Sequence, residues 1–74
     1  MKTTTTYGVE GMTCAHCVAS VIDEVGQVPD VEGVTAELVK GGISRVTVTS
    51  PVALDRALVA AAVEEAGYQL VAVV

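Results

Sequence analysis

The sequence predicts an α+β fold, a four-stranded antiparallel sheet with two helices on one face. Three observations predict it. Strand-like patterning marks residues 3–10, 34–39 and 44–49. Helical spacing of apolar residues begins at Ala15 and again near Leu54, and glycine or proline stands at the junctions.

Thr3 to Glu10 is rich in β-branched residues, with Tyr7 and Val9 two apart, and reads as the first strand. Gly11 to His16 holds glycine and small polar residues and reads as a loop. From Ala15 the period changes: Val18, Val21, Ile22 and Val25 form one face of a helix, with Ser20, Asp23 and Glu24 on the other. Gly26 and Pro29 stop it. In the second strand Val34, Ala36 and Leu38 alternate with Thr35, Glu37 and Val39. Lys40-Gly41-Gly42 signals a hairpin. Ser44, Val46 and Val48 then alternate with Arg45, Thr47 and Thr49. Ser50-Pro51 is expected to open the second helix, with Ser50 as its cap and Pro51 in its first turn. Leu54, Leu58, Val59, Ala62, Val63 and Ala66 supply the apolar stripe, and Gly67 ends it. Tyr68 to Val74 reads as the last strand. Two βαβ units joined by a hairpin make the ferredoxin-like arrangement.

Composition bounds what such a fold can do. Seventy-four residues make one domain, read as spanning 1–74. A chain of this size buries only about 60% of its unfolded surface. With no Phe or Trp, its core is built from Val, Ala, Leu and Ile. That leaves little room for a substrate-enclosing cavity, so an enzyme is not expected. Four Lys and Arg against nine Asp and Glu give a net charge of −5, which argues against nucleic acid. The acidic residues Asp23, Glu24, Asp30, Glu32 and Glu37 read either as a solvated surface or as a field steering the protein toward a basic partner. The N-terminus lacks the apolar run of a signal peptide, and the longest apolar stretch, Leu58 to Val63, is far below the roughly 18 residues of a membrane span. A soluble protein of a reducing, cytoplasmic compartment is the expectation.

The chemistry concentrates in Cys14-Ala15-His16-Cys17. Both thiols lie where a loop enters a helix, and Cys17 falls in the first turn, where free N–H groups and the helix dipole favour a thiolate. Spacing of three lets both sulfurs face a common point. Two soft thiolates suit a soft ion of low coordination number, of which Cu(I) is the abundant biological example. Other readings of C-x-x-C compete. A closed structural zinc site wants four ligands, and the chain offers two cysteines and one histidine. A thiol–disulfide oxidoreductase shares the motif and the helix start, but is expected in a larger domain. Covalent haem attachment needs histidine after the second cysteine, where Val18 stands. Buried cysteines acting as small hydrophobes are common, although Cys14 lies in a polar loop.

Gly11-Met12-Thr13-Cys14-Ala15-His16-Cys17, with the βαββαβ order and the later Ala66-Gly67-Tyr68, resembles the heavy-metal-associated domain family. Within it the chain is similar to the small bacterial copper chaperones, and the resemblance spans essentially all 74 residues. It implies that Cys14 and Cys17 hold Cu(I) at an exposed loop and that Met12 packs inward beneath it. Zinc-transporting relatives tend to carry aspartate at the position of Thr13, so Thr13 leans toward copper. His16 is either a third ligand or a solvent-facing group whose charge tunes the thiols. Tyr68 is expected beside the metal loop, or else as a cap on the core. The implied partners are the soluble metal-binding domain of a copper-transporting P-type ATPase and a copper-sensing repressor. A copper-bridged homodimer is a further implied assembly. The same domain serving mercury or zinc, or forming a segment of a transporter, are the variant readings; the start at Met1 and the end on a strand speak against the last.

Overall fold

The structure, a computed structural model, describes residues 2–73. Its elements follow the expected order: β1 (Thr3–Glu10), α1 (Ala15–Gly26), β2 (Gly33–Glu37), β3 (Ile43–Ser50), α2 (Arg56–Glu65) and β4 (Gln69–Val73). The strands form one antiparallel sheet in the spatial order β2-β3-β1-β4. β1 and β3 are therefore the central pair, aligned from Thr3 opposite Ser50 to Glu10 opposite Ile43. This register places the end of β1 and the turn between β2 and β3 at the same end of the sheet. Among the described residues, no helix is long and apolar enough to cross a membrane.

Side-chain alternation explains why both helices share one face. Ser44, Val46, Val48 and Ser50 are buried, while the alternating Ile43 and Arg45 are exposed and Thr47 and Thr49 half-buried. Val21 and Val25 of α1 and Val59, Ala62 and Val63 of α2 meet the buried side of the sheet. The core is aliphatic, as the composition requires, with Tyr7 its one fully enclosed aromatic residue. Buried Ser44 is satisfied locally: its Oγ accepts from the Val39 N–H at 2.9 Å and donates to the Val39 carbonyl at 3.4 Å, clamping the hairpin.

The second helix departs from expectation. Ser50 does not cap it: Ser50 is the last residue of β3, buried, with its hydroxyl donating to the Val52 carbonyl. The cap is Asp55, whose Oδ1 accepts from the Ala57 N–H at 3.0 Å, and the helix starts at Arg56. A carboxylate at the N-cap also complements the helix dipole. The later start moves Leu54 out of the helix, and Leu58 stays 49% exposed rather than in the core. Two strands are also shorter than their patterns. Leu38 and Val39 lie beyond β2, where the chain is already turning back. β4 begins after Tyr68, because that residue still belongs to the helix-ending turn; Val74 lies outside the described residues.

Between α1 and β2 the chain reverses through Val28-Pro29-Asp30-Val31, closed by a Val31 N–H to Val28 carbonyl bond of 3.2 Å. Asp30 holds φ +74, the left-handed conformation that the third position of such a turn demands and that glycine occupies without a side-chain clash. A non-glycine residue there costs of order 1–3 kcal/mol, against about 0.5–1 kcal/mol of chain entropy for a glycine. Asp30→Gly is therefore expected to stabilise the fold by about 0.5–1 kcal/mol. Urea unfolding checks this: the midpoint rises at unchanged slope, and a lower midpoint refutes the strain argument.

Candidate metal centre

The loop after β1 is built around one inward residue. Gly11 leaves the strand with φ +100, and Met12 then drops into the core, where it is fully buried. Anchoring Met12 leaves Thr13, Cys14, Ala15 and His16 on the surface, with Cys17 half-exposed. Cys14 is the N-cap residue of α1 in extended conformation, and its carbonyl accepts from the Cys17 and Val18 amides at 3.1 and 3.3 Å. Cys17 is thus the third residue of the helix, in its first turn.

The two sulfurs lie 3.3 Å apart. That separation falls between the roughly 2.0 Å of a disulfide bond and the roughly 4.6 Å of two collinear metal–thiolate bonds of about 2.3 Å each. Rotation of the exposed Cys14 side chain spans the difference in either direction. Among the described residues, no third His, Cys, Asp or Glu joins the pair into a larger ligand group. His16, on the exposed side of the first turn, is not brought to the sulfurs. Thr13 Oγ1 stands 3.9 Å from the Cys17 sulfur. The donor set therefore offers two soft ligands on an open side, which fits a soft ion of low coordination number better than a four-coordinate one.

Cys17 has a shifted thiol. The main-chain N–H of Thr13, then the Tyr68 hydroxyl, then the Cys14 side chain hydrogen-bond to the Cys17 sulfur and hold its pKa down, from an ordinary 9.0 to about 6. The same contact works in reverse on Tyr68: donating to Cys17 pushes the phenol upward, with desolvation and the nearby thiols adding to it. Tyr68 reaches this place through the end of α2. Gly67 takes φ +94, its N–H bonds the Glu64 carbonyl at 2.9 Å, and the Tyr68 N–H bonds the Val63 carbonyl at 3.1 Å. This pair of bonds is the Schellman ending of a helix, with Tyr68 and Val63 in the two positions that usually pack together. Tyr68 does both things expected of it as alternatives: it packs on the core, and it lies close enough to the metal loop to lower the Cys17 pKa. Sequence reasoning identified Gly67 as a helix stop without seeing that the stop aims Tyr68. It missed the Thr13 amide, which no side-chain pattern encodes.

Comparison with known proteins agrees with the fold. The family model of the heavy-metal-associated domain matches residues 6–69. The chain is 40% identical over 65 residues to copper-transporting ATPase 1 of Rhizobium meliloti (strain 1021), a match covering 88% of this chain and 8% of that protein. The chain thus spans only a small fraction of the curated relatives' length. Among solved structures it is similar to the CopZ metallochaperone, with TM-score 0.79 and 26% identity over 93% of this chain and 100% of that one. It is also similar to a copper-binding domain of the P-type ATPase HMA7, with TM-score 0.69 and 28% identity over 99% and 97% of the two chains.

A thiol whose pKa falls on folding binds fewer protons in the native state at pH values between about 6 and 9.0. Stability linked to Cys17 is then full above the unfolded value and is lost as pH falls through about 6. In the reduced, metal-free protein, thiolate absorbance and the rate of Cys17 alkylation are both expected to titrate near 6. Tyr68→Phe shifts that midpoint upward. An unshifted midpoint in the variant, or a wild-type value near 9.0, refutes the Tyr68 contact.

Proposed function

The chain belongs to the heavy-metal-associated domain family, and we propose that within it this protein is a cytoplasmic Cu(I) carrier, not an enzyme. The observation that carries the reading is the pair of sulfurs 3.3 Å apart on an exposed helix start, with Cys17 poised as a thiolate. Cys14 and Cys17 are the ligands. Met12 supports the loop from below, Thr13 and Tyr68 steady the Cys17 sulfur, and His16 stays outside the coordination. Copper is the cargo. The chain supplies two soft donors and no hard oxygen ligand at position 13, a combination that favours Cu(I) over zinc.

Delivery follows from the openness of the site. A thiolate of the partner enters beside copper held by two sulfurs and a three-coordinate intermediate forms. One of the original thiolates then leaves and takes up a proton or a new neighbour. The ion is never free, so tight holding and fast transfer coexist. The relatives named for copper transport support a partner of the same kind, the soluble metal-binding domain of a copper-transporting P-type ATPase. A copper-sensing repressor is a second candidate recipient. A copper-bridged homodimer uses the same exposed thiols, with two loops sharing ligands across a two-fold axis. Thiol–disulfide exchange draws on the same pair, and disulfide turnover by the metal-free protein is the signature that would favour it.

Competition against a Cu(I) chelator tests the carrier reading. Wild type is expected to bind one Cu(I) per chain, and Cys14→Ser/Cys17→Ser to lose binding altogether. X-ray absorption is expected to report sulfur ligands and no histidine nitrogen. A double variant that holds Cu(I) as tightly as wild type overturns the assignment.

A further inference from the structure

The edge strand β4 changes face halfway along. Leu70 packs against the core. Ala72 lies on the uncovered side of the sheet, its Cβ 3.5 Å from where a side chain on Gly8 would begin, and Ile43 reaches over the same point. Residues two apart in a regular strand share a face. Here a β-bulge reverses the alternation: Gly8 pairs with Ala72 and Val9 with Leu70, so Val71 is an extra residue in the ladder.

The bulge decides which residue meets the metal loop. The ladder closes on Glu10 opposite Gln69, so Tyr68 comes next, level with Gly11. Its ring lies 3.5 Å from where a Gly11 side chain would begin. Carried on from Ala72 without the bulge, the ladder would set Val71 opposite Val9, Leu70 opposite Glu10, and Gln69 in the place of Tyr68. Leu70 and Val71 are both apolar, so core burial separates the two registers only weakly. An amide and an aromatic ring, by contrast, are very different neighbours for two thiols. A bulge gives up a ladder pair, and bulges gather beside functional sites, where they re-aim a side chain. Blunting the edge of β4 against stray pairing would be met by a bulge anywhere along the strand.

We infer that Val71 is a positioning residue for the metal centre: its bulge selects the register in which Tyr68, rather than Gln69, faces the loop that carries Cys14 and Cys17. The consequence for copper rests on the carrier reading above. The ring is then one wall of the site past which copper leaves, and a register that withdraws it loosens the hold on the ion.

Moving the tyrosine tests the register. In Tyr68→Gln/Gln69→Tyr the regular ladder brings the aromatic ring to Gly11, so β4 is expected to lose its bulge. Nuclear Overhauser contacts of Val9 then pass from Leu70 to Val71, and the ring keeps its contact with the Gly11 α-protons. Val9 still paired with Leu70 in this variant overturns the inference. Moving the register tests the consequence. Leu70→Thr/Val71→Leu turns the larger apolar residue inward in the regular ladder and is expected to carry Tyr68 away from Gly11. Release of Cu(I) to dimercaptosuccinate then quickens about threefold, as in Tyr68→Ala, and adding Gln69→Tyr restores the wild-type rate. A rate that ignores the added tyrosine overturns the positioning role, because lost packing is not rescued by a side chain at that place. The contacts are read without metal, so the two readings fail separately. If the exchange variant shifts register and wild type holds no Cu(I), the carrier reading fails and the register argument stands. If Cu(I) binds and the register does not move, the register argument fails alone.

Discussion

The burial of Met12 is the constraint on which the site depends. Between β1 and α1 the chain must turn a corner in four residues, and a loop that short has no packing of its own. Placing one long, flexible side chain fully inside the core ties the loop to the sheet and to both helices. Truncating a buried methionine costs about 2–5 kcal/mol, a large share of the stability of a small domain. With Met12 fixed, the chain direction puts Cys14 at the N-cap and Cys17 in the first helical turn. The thiols can therefore be exposed without being disordered. The anchor works from beneath and leaves the outer side of both sulfurs open.

Tyr68 shows how distant parts of a small fold meet at one atom. Cys17 is ordered by α1, but its sulfur is also met by a residue fifty-one positions later, delivered by the turn that ends α2. The delivery depends on Gly67, whose φ of +94 is available to glycine with little strain. Gly11, on the facing side, would place an added Cβ 3.5 Å from the Tyr68 ring, ordinary contact for its size, so space does not demand glycine there. Its φ of +100 does. Both glycines serve the backbone, and the ring settles between them.

These particulars explain what the sequence discloses and what it conceals. Alternation in β3 and the apolar stripe of α1 are properties of consecutive residues, so both elements were legible to within a residue or two. The thiol pair was legible because C-x-x-C at a helix start brings its sulfurs together through local geometry alone. The start of α2 was not. Ser50-Pro51 and Asp55 are both competent helix openings, and only tertiary structure chooses: Ser50 is needed as the final buried residue of β3. Leu58 lies at the margin of the stripe: Val59, Ala62 and Val63 turn inward as their spacing requires, and Leu58 stays 49% exposed. The lowered pKa of Cys17 was hidden for another reason. It comes from a main-chain amide and from a tyrosine remote in sequence, and neither leaves a mark in residue spacing.

The surroundings of Cys17 show how a thiol pair can be both ordered and open to solvent. If both sulfurs were free and exposed, the pair would close readily into a disulfide or scatter among foreign metals. If both were buried and bonded, an incoming thiolate would find no approach. Here Thr13 and Tyr68 flank the Cys17 sulfur from the loop and from the end of α2, and the outer side of the pair stays open. A core of valines with Tyr7, Met12 and Ala62 is sufficient to position the pair, because nothing needs to be enclosed. The fold has only to keep one amide, one hydroxyl and two sulfurs at a fixed corner of its surface.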